Sequence, residues 1–297
     1  CLKALAPRKP LAIPPLDIFA VNENRKFAVQ DQSWTKKLES HWEIGEQAAQ
    51  KYLNKFLENN LEDYAKNRDF PAQNATSKLS PHLHFGEISP HQIEWSIDSK
   101  FDPFLRQLIW REFSYYLLFH FPHFPEKNYQ SKFNHFPWKE NAQLLRAWQQ
   151  GQTGYPLVDA GMRELWQTGT MHNRVRMIAA SFLVKNLNIH WHNGANWFWN
   201  CLLDADLANN SVSWQWVAGS GVDASPFFRI FNPTTQGEKF DPEGDYTRRF
   251  VPELSQIPKK YLFKPWEAVN PPKNYPAPII DLKTSREEAL KAFKALS

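Results

Sequence analysis

Residues 151–187 read GQTGYPLVDAGMRELWQTGTMHNRVRMIAASFLVKNL and contain two helix patterns in succession. Pro156 stands where the first helix would begin, because proline is tolerated in the first turn, and Gly169 stands where it would end. The second pattern covers residues 172–187, and its apolar positions follow the same helical period. The middle of the chain therefore predicts consecutive helices with one face directed toward a core.

The same period extends outward toward both ends, whereas strand-like alternation is hard to find. A helix is predicted to begin after Ser89 with proline at its first position, and another covers residues 103–119. Residues 209–240 are rich in Gly, Ser, Asn and Pro, which predicts long ordered loops. The predicted fold class is mainly α: a multi-helical domain over residues 33–297 with no substantial sheet. Residues 1–32, with four prolines and no sustained period, are expected to be an interdomain linker.

The composition is that of an ordinary globular protein except for its aromatic residues. The 297 residues are 42% hydrophobic and 22% charged, which excludes a disordered chain. Lys and Arg outnumber Asp and Glu by only 35 to 31, so a polyanionic partner requires a local basic patch. Two cysteines exclude a disulfide scaffold, and we expect no membrane association. Thirteen Trp residues are a surplus that serves packing, base stacking or electron transfer.

Several short motifs have both a functional and a structural interpretation. GSGVDA at 219–224 matches a dinucleotide fingerprint but lacks the flanking strand and helix, which favours coincidence. Asp204 and Asp206 would suit Mg²⁺, but no third ligand stands nearby, so salt bridges or a polar ligand contact are favoured and no metal is expected. TSKLSP at 76–81 offers hydroxyl and backbone N–H groups to phosphates, or simply caps a helix. Interleaved aromatic and arginine residues suit unstacked bases, or pack helices together.

Six segments, taken in order, resemble the DNA photolyase/cryptochrome family, and specifically its class I cyclobutane pyrimidine dimer photolyases. The segments are TSKLSPHLHFGEIS (76–89), LIWREFSYYLLFHFP (108–122), GQTGYPLVDAGMREL (151–165), TGTMHNRVRMIAASFLVKNL (168–187), LLDADLANNSVSWQW (202–216) and SPFFRIFNPTTQGEKFDPEGDY (225–246). The resemblance implies a helical FAD-binding domain, which in the family follows an α/β antenna domain. We expect the antenna domain to be absent here, residues 1–32 to be the remnant of the linker, and no antenna chromophore to be bound.

The cofactor implied by the resemblance is FAD, active in its reduced form FADH⁻. Its contacts, carried over by motif, fall on Tyr64, Thr76, Ser77, Leu79, Ser80, Trp110, Arg111, Asn173, Arg176, Asp204, Asp206 and Asn210. The resemblance also implies that Arg176 pairs with Asp204, which would give a buried carboxylate the partner it needs. The resemblance implies that Asp206 addresses the polar edge of the flavin and that Asn210 faces its N5 atom.

The reaction implied by the resemblance is light-driven repair of cyclobutane pyrimidine dimers in DNA. Excited FADH⁻ gives an electron to a dimer that has been flipped out of the duplex, and the electron returns after the ring opens. Contacts to the dimer and to DNA fall on Arg68, Gln107, Trp110, Arg174, Met177, Trp216 and Arg229. Trp214, Trp191 and Trp138 match the family's electron-carrying tryptophans. Damaged DNA is the expected partner of a cytoplasmic, nucleoid-associated monomer.

Departures from the family pattern leave alternative functions open. Gln107 replaces the usual Glu and is expected to alter the rate rather than the reaction. Six-four photolyases are one alternative, but Asn173 and Met177 occupy positions where those enzymes place proton-donating histidines. A cryptochrome-type blue-light photoreceptor is another, and Asn210 argues against the plant type, in which Asp usually faces N5. A non-catalytic helical domain that binds nucleic acid would contain no flavin.

Overall fold

The computed structural model describes residues 33–296, and the predicted linker at residues 1–32 lies outside this range. Within it the regular structure is helical, without strands. The α-helices are α1 (Glu46–Asn59), α2 (Tyr64–Asn67), α3 (Ser80–His84), α4 (Pro90–Trp95), α5 (Asp102–His120), α6 (Ala142–Gln149), α7 (Pro156–Thr168), α8 (Asn173–Ser181), α9 (Trp191–Cys201), α10 (Leu207–Ala218), α11 (Pro233–Phe240), α12 (Asp245–Phe250) and α13 (Leu282–Lys294). The predicted mainly α class is confirmed.

The helix boundaries follow the local signals in the sequence. At the start of α4, the Ser89 side chain accepts a hydrogen bond from the Gln92 N–H, and the Gln92 side chain accepts one from the Ser89 N–H. Helix α7 begins with Pro156 and ends at Gly169, whose φ of 70° is left-handed and suits glycine. The ring of His172 caps α8 by accepting from the Arg174 N–H at 3.2 Å.

Two segments differ from the sequence prediction. The helix predicted over residues 172–187 changes into a π-helical turn over Phe182–Asn186. The loops predicted over residues 209–240 were wrong for most of that range, since α10 and α11 occupy both of its ends. Asp206 caps α10 and Asn232 caps α11, so side chains typical of loops here satisfy the first N–H groups of helices. The loop that joins these helices is residues 219–232.

Two of the buried cores in the described part of the chain meet at a cavity. The larger core contains α7 to α10 and α12, with Trp148 and Trp191 almost completely buried. The smaller core contains residues of α1, α2 and α5, among them Phe56 and Tyr64. Helix α10 packs against both α9 and α5 and so joins the two cores. In the described part of the chain, no helix has the length and apolar character needed to cross a bilayer.

Candidate functional site

The main cavity, of about 550 Å³, lies where the two cores meet, between α5 and α10. Its volume is within the range of about 300–1,000 Å³ typical of small-molecule sites. The lining includes every residue to which the sequence assigned a cofactor contact: Tyr64, Thr76, Ser77, Leu79, Ser80, Trp110, Arg111, Asn173, Arg176, Asp204, Asp206 and Asn210. Residues from five separate segments are thereby brought to one cavity.

Part of the cavity wall carries the hydroxyl groups of the segment before α3. Thr76 and Ser77 are half-buried. The chain that follows them is anchored by the buried side chain of Leu79. Ser77 Oγ accepts a hydrogen bond from the Leu79 N–H at 3.4 Å, and Lys78 adopts a left-handed φ of 56°. The result is a tight turn with hydroxyl groups along the cavity, which suits the phosphates of a dinucleotide.

A charged pair on another wall of the cavity fixes the position of Arg176. Its Nη2 donates to both carboxylate oxygens of Asp204, at 3.1 and 3.0 Å, and its Nε donates to the carbonyl of Met171 at 2.6 Å. The Asp204 side chain is 7% exposed and that of Arg176 is 27% exposed. The predicted Arg176–Asp204 pair is therefore present, and the guanidinium is held by contacts on two sides.

The second carboxylate of this region, Asp206, is held by hydrogen bonds rather than by an ion pair with Arg. One of its oxygens accepts from the backbone and side-chain N–H groups of Asn209, at 2.8 and 2.7 Å. The other accepts from the hydroxyl of Tyr115, which itself accepts from Arg111 Nη2 at 3.1 Å. Burial alone would raise the pKa of Asp206, but these hydrogen bonds outweigh it and lower the pKa below its usual value. Asp206 is thus an anionic acceptor at neutral pH.

Two amide side chains of the cavity are held in fixed orientations by hydrogen bonds, and aromatic rings lie beside them. Asn210 Nδ2 donates to the carbonyl of Ala195 on α9 at 3.0 Å. Gln107 Nε2 donates to the carbonyl of Pro103 at 3.0 Å, while its Oε1 accepts from Arg68 Nη2 at 3.2 Å. Gln107, Met177 and Trp216 line the cavity together with Trp110, which remains 47% exposed. The cavity therefore has an open aromatic mouth.

A second cleft of about 470 Å³ lies beside the first and shares Met177 with it. Predicted DNA contacts Arg174 and Arg229 line this cleft, together with Lys66 and Lys239, which sequence analysis missed. Asp69 accepts from Arg174 Nη2 at 2.6 Å and is the acidic residue of the lining. The cleft is consequently cationic and suits phosphate groups. Arg68 is absent from the linings of both clefts and instead contacts Gln107.

The three predicted relay tryptophans lie in different environments. Trp214 lines the cavity and approaches α9 at Gly194, where a Cβ atom would overlap the indole ring. Trp191, at the start of α9, is buried and donates from Nε1 to Asn128 at 2.8 Å. The ring of His190 lies 5.1 Å from that of half-buried Trp138 and 5.7 Å from that of Trp191. The imidazole of His190 therefore lies between Trp138 and Trp191 and contacts both rings.

The donor set of the cavity fits FAD. Hydroxyl groups and the Arg111 guanidinium suit the phosphates, an anionic acceptor suits a flavin N–H group, and apolar side chains such as Leu108 and Ala180 suit the rings. Among the described residues, no group of three or more His, Cys, Asp and Glu side chains is placed to hold a metal ion. The Asp204 and Asp206 carboxylates are instead satisfied by Arg176, Asn209 and Tyr115.

Comparisons with known proteins agree with this donor set. The family model described as the FAD binding domain of DNA photolyase matches residues 104–295. A deoxyribodipyrimidine photo-lyase of Agrobacterium fabrum is 50% identical over 291 residues, covering 92% of this chain and 60% of that protein. Cryptochrome-2 of Arabidopsis thaliana is 45% identical over 276 residues, covering 85% of this chain and 45% of that protein. A crystal structure of a class III photolyase from Agrobacterium tumefaciens superposes with a TM-score of 0.85 at 50% identity, over 90% of this chain and 59% of that one. The chain thus spans about 60% or less of these relatives.

Proposed function

The chain belongs to the DNA photolyase/cryptochrome family, and we propose that it repairs cyclobutane pyrimidine dimers in DNA with FAD bound in the main cavity. The observation that carries the proposal is the single lining shared by all the cofactor positions and by Gln107, Met177 and Trp216. Bound and fully reduced, FAD supplies a light-excited electron to the dimer and accepts it back, without net redox change. The chain has only to bind, orient and enclose the two reactants.

The cofactor is held by groups whose own positions are already fixed. Arg176, oriented by Asp204 and Met171, presents a localised positive charge to the flavin side of the cavity. Asp206 accepts a hydrogen bond from a flavin N–H group, since its lowered pKa keeps it ionised at neutral pH. The hydroxyl groups of Thr76 and Ser77, in the same lining, would bind the phosphates.

The dimer enters through the aromatic mouth of the cavity. Trp110 and Trp216 pack against the faces of the flipped pyrimidines, as aromatic rings do in proteins that bind unstacked bases. The Gln107 amide donates a hydrogen bond to the dimer from Nε2, while Arg68 holds its Oε1. Arg174, Arg229 and Lys239 bind backbone phosphates in the adjacent cationic cleft.

Two alternatives within the family differ from the proposal in what the cavity must supply. A photoreceptor role is supported by the 45% identity to Cryptochrome-2, whereas a six-four repair role would need a proton donor near the flavin. Asn173 and Met177 line the cavity at the positions where such a donor is expected, and neither side chain donates a proton at neutral pH. The class I subclass stays a prediction beside a structural neighbour described as class III.

Purified protein tests the proposal in two steps. Its absorption spectrum should show flavin at one molecule per chain, and sedimentation should show a monomer. Illumination of the reduced protein with an oligonucleotide containing one thymine dimer should then restore the thymines, while a dark sample stays unchanged. Flavin binding without any light-dependent repair would favour the photoreceptor role, and protein without flavin would contradict both.

A further inference from the structure

Lys185, in the π-helical turn after α8, is a buried cation outside the proposed site. Its side chain is 1% exposed, and its Nζ donates to the carbonyl of Arg229 at 2.9 Å. The ammonium also lies 5.2 Å from the centre of the Phe227 ring. Across residues 33–296, Lys185 forms no ion pair with a carboxylate. Burial, reinforced by the charge of Arg229, lowers the pKa of Lys185 to about 7.

A buried ammonium with so few partners is costly, because burial removes its hydration and no carboxylate compensates for the charge. An apolar side chain of similar length would fill the same space more favourably. The lysine at this position is therefore explained by the hydrogen bond that its Nζ donates. That bond holds the backbone of the loop at residues 219–232.

The segment around Arg229 is tied to the body of the protein on both sides of this residue. Ser181, four residues before Lys185, accepts from the Phe231 N–H with its Oγ at 3.3 Å. Phe227 is buried and stacks on Phe293 of α13 at 4.5 Å between ring centres. Between these two anchors, the hydrogen bond from Lys185 to the Arg229 carbonyl holds the backbone at Arg229. The Arg229 side chain itself is exposed.

This loop lines both cavities at once. Residues 221–224 belong to the wall of the main cavity, whereas Arg229 lines the cationic cleft together with Arg174 and Lys239. The backbone conformation at Arg229 consequently sets the point from which its long side chain reaches toward the mouth through which the dimer enters.

We infer that Lys185 is a positioning residue for DNA binding: its buried Nζ donates to the Arg229 carbonyl and so directs the Arg229 guanidinium toward a phosphate beside the lesion. The inference rests on the proposed function, because it needs Arg229 to contact DNA. Lys185 itself touches neither the cofactor cavity nor the cationic cleft. Its effect on binding passes through one hydrogen bond to the loop.

Lys185→Met and Lys185→Gln test this role by their affinity for an oligonucleotide with one thymine dimer, measured over a series of salt concentrations. Lys185→Met keeps the length of the side chain but lacks a hydrogen-bond donor. It should weaken DNA binding about tenfold. It should also flatten the plot of log affinity against log salt concentration by as much as one unit of slope. Its thermal midpoint should stay or rise, because a buried charge has been removed. Lys185→Gln retains an N–H donor and should recover part of the affinity. Lys139→Met, at an exposed ion pair with Glu288, is the matched control and should bind as the parent does.

A double-mutant cycle with Arg229→Ala separates the outcomes. If Lys185 acts through Arg229, Lys185→Met should have no further effect in the Arg229→Ala background. Additive losses of DNA affinity in the double mutant would overturn the inference. A Lys185→Met variant with the parental affinity and the parental salt slope would also overturn it. So would a Lys185→Met variant in which DNA affinity and thermal midpoint both fall while the salt slope is unchanged. An Arg229→Ala variant that binds like the parent would instead contradict the proposed phosphate contact, and with it the inference.

Discussion

Replacing Asp204 with alanine removes the carboxylate that holds Arg176 against the cofactor cavity. Both Asp204 oxygens lie within 3.1 Å of Arg176 Nη2, and the Asp204 side chain is only 7% exposed. Breaking a buried ion pair by removing one partner costs about 3–5 kcal/mol. Arg176 is 27% exposed and retains its bond to the Met171 carbonyl, so water can partly replace the lost partner and the lower end of that range applies.

A loss of about 3 kcal/mol corresponds to a decrease in FAD affinity of roughly two powers of ten, if the whole effect falls on the bound state. The ratio of FAD to protein after gel filtration should therefore collapse in Asp204→Ala, and the dissociation constant from flavin fluorescence gives the magnitude. Glu243→Gln is the matched control, because it breaks an exposed ion pair with Lys259 and should keep its flavin. Full flavin retention in Asp204→Ala, or equal loss in the control, would refute the reasoning.

Three further predictions concern electron transfer, DNA binding and pH. Trp138→Phe should slow photoreduction of oxidised FAD several-fold and leave repair by chemically reduced protein intact; equal photoreduction rates in a transient absorption experiment would make the tryptophan a packing residue. Arg229→Ala should flatten the salt dependence of DNA affinity by about one unit of log–log slope, and an unchanged slope would argue against a phosphate contact. Burial lowers the pKa of His172 to about 4, whereas the same imidazole in the unfolded chain has a pKa near 6.5. Because the unfolded chain then binds one proton more, the free energy of unfolding should fall by roughly 3 kcal/mol as the pH drops from about 6.5 to 4. His172→Asn keeps a capping side chain and should lose less stability in urea titrations over that range, and an identical pH profile would contradict the assignment.

Helix positions could be predicted from the sequence wherever a helix has both an apolar period and a recognisable end. Pro156 and Gly169 mark the ends of α7, and Ser89 marks the start of α4. Prediction was wrong for α10 because the helix is buried on several sides and contains small polar residues. The π-helical turn at Phe182–Asn186 was also missed, since its residues continue the apolar pattern of α8.

The proposed cofactor residues could be predicted because they belong to ordered motifs, although their meeting at one cavity depends on tertiary packing. Single residues that lie outside a motif carry no comparable sequence pattern. Lys66 and Lys239 are single lysines, and only the fold brings them to the cleft that contains Arg174. The burial of Lys185 was equally hidden, because a lysine in an apolar run is ordinarily expected at the surface. The contact from Arg68 to Gln107 depends on the packing of α2 on α5.

The central claim is that the cavity holds a flavin that repairs cyclobutane dimers. It is tested most directly by illuminating the reduced protein with two oligonucleotides of identical sequence, one carrying a cyclobutane thymine dimer and the other a six-four photoproduct. Lesion-resolved chromatography then measures each product against samples kept in the dark. We predict light-dependent restoration of thymines from the cyclobutane dimer, with the six-four lesion unchanged. Repair of the six-four lesion alone, or of neither, would contradict the claim.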